Sequence, residues 1–275
     1  MDTPQTLKKK LFNFMKNDWV FPSDIDGDTL VDEVKDALAS TDGVLRDRLA
    51  GPSFDKLISQ GKVSDEKCRS LYYEIISDKC LLRGLGKEYD DSVFGRAFYG
   101  YAAMTLVEYN ETVNKRLFGD NDVRDFLSAL LKCLSEEKDL RAFDKEKGWA
   151  HVVAHTADVL GLIAQNSAIG HDGLLDILYA IKDKICIDHH CYVDGEQFRL
   201  ATAMAEVLKR EIVTEKEFSE WIGSFLEASK TDDPAKIAWS LSNRAEFVMS
   251  VQYQLKERPN LRPHTLNALE KLWFN

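Results

Sequence analysis

The run Gly148-Trp149-Ala150-His151-Val152-Val153-Ala154-His155-Thr156-Ala157-Asp158-Val159-Leu160-Gly161-Leu162-Ile163 decides how the chain is read. At ~100° per residue, His151, His155 and Asp158 fall within an arc of roughly 60°. Val152, Val153, Val159, Leu160 and Ile163 occupy a neighbouring face, which predicts a helix with one polar stripe on an otherwise apolar surface. The same periodicity recurs along most of the chain. It predicts helices over 4–17, 28–39, 42–60 (broken near Gly51-Pro52), 64–80, 92–117, 121–137, 149–165, 172–186, 195–210, 214–228, 234–257 and 263–273. Start signals are Ser64, Asp91-Ser92 and the capping box opened by Thr214; stop signals are Gly61, Gly119, Gly170 and Pro259.

A dozen helices with short connections predict antiparallel neighbours. The fold class that follows is all-α, an α/α superhelix of stacked helical hairpins like HEAT or armadillo arrays, in a single domain over residues 1–275. No clean sequence repeat is visible, and a closed α/α toroid or a globular bundle satisfies the same pattern. The polar joints, such as Gly84 to Asp91 and Ser229 to Asp233, are too short for domain linkers.

The chain has 275 residues and a formal net charge of −10, with 44% hydrophobic and 30% charged residues. That composition is globular. The acid excess argues against nucleic acid as a partner, since phosphate-backbone binding needs clustered cations. No stretch approaches the ~18 apolar residues of a membrane span. Five cysteines fit no secretory framework, and the first segment reads as an amphipathic helix capped at Thr3 and Pro4 rather than a leader. The expected location is the cytoplasm, with reduced thiols.

Two histidines four apart suit a divalent metal, and a carboxylate one turn on supplies a third ligand or an orienting group. The same stripe suits a histidine general base oriented by Asp158. Two helical histidines and an aspartate also serve as plain contacts between helices. Val152 follows the first histidine where a zinc hydrolase would carry glutamate. Cys186-Ile187-Asp188-His189-His190-Cys191 packs four ligand types into six residues, too short a loop to wrap one ion, so a polar turn is the better reading. Asp24, Asp26 and Asp28 imitate a calcium loop whose later positions fail, which leaves Asp28 as a helix cap. There is no phosphate-binding glycine loop and no nucleophile elbow.

The stretch Asp139-Leu140-Arg141-Ala142-Phe143-Asp144-Lys145-Glu146-Lys147-Gly148-Trp149-Ala150-His151, with Ala154-His155 and Ala157-Asp158, resembles the signature of a bacterial family, domain of unknown function 2785. Asp91-Ser92-Val93-Phe94-Gly95-Arg96-Ala97-Phe98 is similar to that family's arginine-centred segment. Asp194-Gly195-Glu196-Gln197-Phe198-Arg199-Leu200-Ala201 is similar to its later acidic-arginine segment. The resemblance covers about residues 90–225. Ala97 stands where the family shows serine, and Ala142 and Thr156 where it shows glycine.

The resemblance implies a superhelical all-α fold and a shared polar site, without supplying a reaction. Its members are Arg96, Arg141, Trp149, His151, His155, Asp158, Glu196 and Arg199. Arginine clamps carboxylate or phosphate, Trp149 can floor a pocket, and Glu196 with Arg199 makes an ordinary i,i+3 pair. The expected function is that of a cytoplasmic helical-repeat protein whose polar groove, with Arg96, Arg141, Trp149, Glu196 and Arg199 as contacts, binds a small anionic ligand or a peptide. The alternative is a hydrolase in which His151, His155 and Asp158 are catalytic, holding a divalent metal or acting as acid and base. A third reading makes the motif purely structural.

Overall fold

Helix starts along the chain are set by short polar side chains that satisfy the first exposed N–H groups. Thr3 Oγ1 accepts from Thr6 N at 3.3 Å and opens α1 (Pro4–Lys16). Asp26 accepts from Thr29 N at 3.0 Å and opens α2 (Gly27–Ala37). The cap is therefore Asp26, not Asp28, whose carboxylate instead receives Ser64 N at 2.7 Å and Ser64 Oγ at 2.6 Å. Ser64 in turn caps α4 (Asp65–Ile75). The computed structural model describes residues 3–113, 117–227 and 231–274. The joint expected over Ser229 to Asp233 lies partly outside the described residues.

The expected break near Gly51-Pro52 takes another form. Val44–Ala50 is a π-helical turn that runs directly into α3 (Gly51–Ser59), with Gly51 N–H donating to Arg46 O. Pro52 has no N–H, and its ring would strike a carbonyl one α-turn back; a widened turn removes the clash. After α4, residues 77–86 form turns rather than helix. Two long helices follow, α5 (Ser92–Val113) and α6 (Asp120–Glu136). A two-stranded hairpin of β1 (Phe143–Asp144) and β2 (Gly148–Trp149) pairs Phe143 with Trp149 and Asp144 with Gly148. The chain continues through α7 (Val152–Ile163), α8 (His171–Ile185), α9 (Glu196–Lys209), α10 (Glu215–Gly223), α11 (Pro234–Gln254) and α12 (Arg262–Phe274). The all-α class holds, with that hairpin as the one sheet among the described residues. No described helix is long and apolar enough to cross a membrane.

Two compact units emerge from the packing, the first comprising residues up to Ala129 with Glu136–His155, the second Leu130–Ser135 with Thr156 onward. In the first, α5 packs on α3 and α4. Phe54, Phe94, Leu71 and Val107 are buried there, and Tyr72 stacks near Phe118 at 4.2 Å while donating its hydroxyl to Asp122 O at 2.6 Å. In the second, α11 packs on α9 and α12. Its aromatic centre is Phe218, Trp221, Phe225 and Phe247, with Phe225 and Phe247 stacked at 5.1 Å and Trp221 Nε1–H donating to Leu178 O at 2.8 Å. The capping box on α10 is present in both directions, Thr214 to Glu217 N and Glu217 to Thr214 N.

Candidate functional site

The signature segment is not one helix. α7 starts at Val152, three residues later than the periodicity predicts. Asp144 Oδ1 accepts from Glu146 N and Lys147 N, both at 2.9 Å, and Gly148 sits at φ +79°, which closes a tight turn. Trp149 thereby lands on a strand, and His151, at φ +50°, is the left-handed hinge between hairpin and helix. Ala150 N donates to Ala142 O at 2.8 Å and His151 N to Arg141 O at 3.1 Å. The helical arc that put His151 in line with His155 and Asp158 does not apply, because only the last two are helical.

The first unit brings Trp149, His151 and His155 together through their rings. Trp149 and His151 stack at 4.9 Å with 26° between planes. His151 and His155 lie 5.9 Å apart, and His155 meets Phe98 edge-on at 5.1 Å and Tyr101 at 5.3 Å. Phe143, opposite Trp149 on the hairpin, touches its ring at 5.0 Å. His155 Nδ1 lies 3.1 Å from Ala97 O. A carbonyl only accepts, so Nδ1–H is the donor to Ala97 O. Trp149 is 40% exposed and Phe143 55%, while His151 is buried. The result is a ladder of flat rings, exposed at Phe143 and Trp149, buried at His151 and half-buried at His155.

A buried arginine anchors the ladder from behind. Arg46 is 0% exposed; its Nη2 donates to Trp149 O at 2.8 Å and Lys147 O at 3.1 Å, and its Nη1 to Ser40 O at 2.7 Å. Its guanidinium lies over Phe94 at 4.5 Å. Asp47 approaches Arg46 Nε at 2.7 Å. Burial pushes the Arg46 pKa down and the Asp47 pKa up. A Cβ at Gly148 would meet Arg46 Nη2 at 3.4 Å, so the turn and its anchor are mutually fitted. The sequence carried a faint sign of Arg46, a cation between Leu45 and Leu49, and a clearer one of the hairpin in Asp144…Gly148; both were outweighed by helical periodicity.

The arginines expected to clamp a ligand are closed on carboxylates. Arg96, 1% exposed, forms a fork with Glu137 (Nε to Oε2 2.5 Å, Nη2 to Oε1 2.9 Å) and donates through Nη1 to Arg83 O and Ser92 Oγ. The hydroxyl that Ala97 lacks is thus supplied by Ser92. Arg141 holds Asp139 at 2.8 and 2.7 Å, and that hydrogen bond keeps its pKa raised. Lys147 meets both oxygens of Asp91 at 2.8 Å.

The remaining expected residues belong to the second unit. Asp158 is bridged by Arg199 through two contacts, Nε to Oδ1 and Nη2 to Oδ2. Arg199, expected beside Glu196, therefore reaches across to α7. Glu196 is 2% exposed and accepts from Asp194 N at 3.1 Å. Among the described residues, no three His, Cys, Asp or Glu side chains are grouped to hold a metal, neither at His151, His155 and Asp158 nor at Cys186–Cys191. In that loop burial raises the Cys186 thiol to about 11, and Asn243 fixes the backbone by donating to His190 O and accepting from Tyr192 N.

No curated protein and no solved structure matches the chain. A family model described as "Protein of unknown function (DUF2785)" matches residues 81–252, from the turns before α5 into α11. Because that match spans more than half the sequence and takes in the hairpin, the ring ladder and the Asp158–Arg199 bridge, the chain belongs to the DUF2785 family.

Proposed function

We propose that the protein is a helical binding module whose recognition surface is the ring ladder Phe143–Trp149–His151–His155, and that its ligand is a peptide presenting a flat or apolar side chain. The observation that carries this reading is the exposure of two adjoining aromatic rings on a hairpin anchored by a fully buried arginine. Rings of this size left in water on a rigid support gain by being covered, and a support ordered in advance spares a ligand the cost of ordering it. The imidazole of His155, held by Ala97 O, extends this surface with a polar ring set edge-on to Phe98 and beside Tyr101.

The two ligand classes expected from sequence are not equally supported. Arg96 and Arg141 are spent on Glu137 and Asp139, so an anion at the ladder finds no open guanidinium among the arginines named for it. Peptide chemistry matches what is exposed. The hydrolase reading loses its third group, since Asp158 is engaged by Arg199.

The test is a peptide-display selection against the full chain, followed by titration of selected peptides into wild type, Trp149→Ser and His155→Ala. Binding weakened at least ~10-fold by Trp149→Ser, with Tm within a few degrees of wild type and peptides recovered intact, is expected. Peptides that bind the Trp149→Ser variant equally well would overturn the proposal. Cleavage of peptides that stops in His155→Ala would replace it with the hydrolase.

A further inference from the structure

The first unit contains a cavity of about 590 Å³ beside α5, walled by the turns that follow α4 and by Lys147 of the hairpin. Its inner wall includes Cys80 and Tyr99, 3% and 5% exposed. Arg83, Lys87 and Lys147 surround it, with Asp90 and Asp91. These charges are not equivalent. Both Asp91 oxygens lie on Lys147. Asp90 Oδ1 accepts from Ser92 N at 3.0 Å, and Lys87 stands 3.6 Å from Asp90 Oδ2. Arg83 alone of these cations makes no side-chain ion pair or hydrogen bond among the described residues. It brings the planar donor set suited to carboxylate or phosphate.

Arg83 is open, but its backbone is fixed. Arg83 O receives Arg96 Nη1 at 2.8 Å, and Arg96 is locked in the buried fork with Glu137. The next residue, Gly84, has φ +67°, and a Cβ there would lie 2.3 Å from Ser92 Oγ. Only glycine allows the turn to approach α5 so closely. The guanidinium thus stems from a position held by one of the best-buried polar groups of the unit. The volume falls within the range of small-molecule sites.

We propose that this cavity is a second binding site, separate from the ring ladder, and that it takes a small organic anion whose carboxylate or phosphate is held by Arg83 with Lys87 alongside. Asp90 and Asp91 do not cancel this preference, since their oxygens already serve Ser92, Lys87 and Lys147. The anionic ligand looked for at Arg96 and Arg141 belongs instead at the arginine that Arg96 positions.

The experiment is calorimetric and thermal-shift titration of the full chain with four probes: inorganic phosphate, pyrophosphate, succinate and citrate. Ionic strength is matched with sodium chloride. Arg83→Gln and Arg83→Gln/Lys87→Gln are titrated in parallel, with Arg258→Gln in the second unit as control. Saturable binding of at least one probe, weakened at least ~10-fold by Arg83→Gln and unchanged in the control, is expected. Response to the phosphates alone, or to the carboxylates alone, identifies the anion class. Arg83→Gln should keep the wild-type Tm, because the side chain it removes is exposed and makes no ion pair or hydrogen bond among the described residues. No saturable binding of any probe, or equal binding in Arg83→Gln, would overturn the proposal.

Discussion

Arg96 illustrates how a residue type can be right and its task different. An arginine flanked by Phe94 and Phe98 on a long apolar helix invites a ligand clamp, yet its donors are all directed inward, at Glu137, Ser92 Oγ and Arg83 O. The partner could not be read from the sequence, because Glu137 lies 41 residues away and nothing local distinguishes it from its exposed neighbours. Breaking a buried pair by removing one member leaves an uncompensated charge. Arg96→Met should therefore cost about 3–5 kcal/mol in urea or guanidinium unfolding, and adding Glu137→Leu should recover part of that loss. A single variant as stable as wild type would contradict the assignment.

A second residue-scale prediction concerns pH. His171 Nε2 meets Glu217 at 2.8 Å, with Asp172 at Nδ1, and these hydrogen bonds raise the His171 pKa. Hydrogen bonds from Thr214, then from His171, lower Glu217 to about 2. The histidine contribution is complete below its unfolded pKa of roughly 6.5 and fades as pH rises through the higher folded value. The Glu217 contribution is present above roughly 4.5 and fades as pH falls towards 2. His171 is exposed and Glu217 only half-buried, so the effect is small. Between pH 6 and 8 wild type should lose slightly more stability than His171→Gln, measured by Tm in matched salt; identical slopes would contradict it.

Among elements, the twelve α-helices of the described residues were legible from period and caps, and most of their described ends fall within a few residues of expectation. The exceptions share a cause. At 42–60, 77–80 and 149–151 apolar spacing continues while the backbone does not, since periodicity reports which residues face inward and is silent on a π-turn, a run of turns or a short hairpin. The overlooked signal at 144–148 was turn chemistry, an aspartate followed four residues later by glycine. Gly148→Ala follows from this. It imposes a Cβ on φ +79° against the Arg46 guanidinium and should destabilise by about 1–2 kcal/mol. The near-ultraviolet signal of Trp149 should change as the hairpin loosens, whereas Gly170→Ala, with open space around the Cβ, should leave that signal as it is.

At the scale of the molecule, family membership and an all-α fold frame a question the signature motif answers only in part. Its tryptophan and first histidine stack, and its second histidine lies tilted beside them, in the first unit. Its aspartate is bridged to Arg199 in the second. What the motif specifies most visibly is a hairpin held by Arg46, with Trp149 and Phe143 left facing solvent. The chain has five tryptophans, and fluorine NMR of protein grown with 5-fluorotryptophan resolves them separately, with Trp149 assigned from Trp149→Phe. Titration with a display-selected peptide should move the Trp149 resonance to a saturating limit while the buried Trp221 stays in place. A peptide that binds and leaves Trp149 unmoved would contradict the ring ladder as the recognition surface.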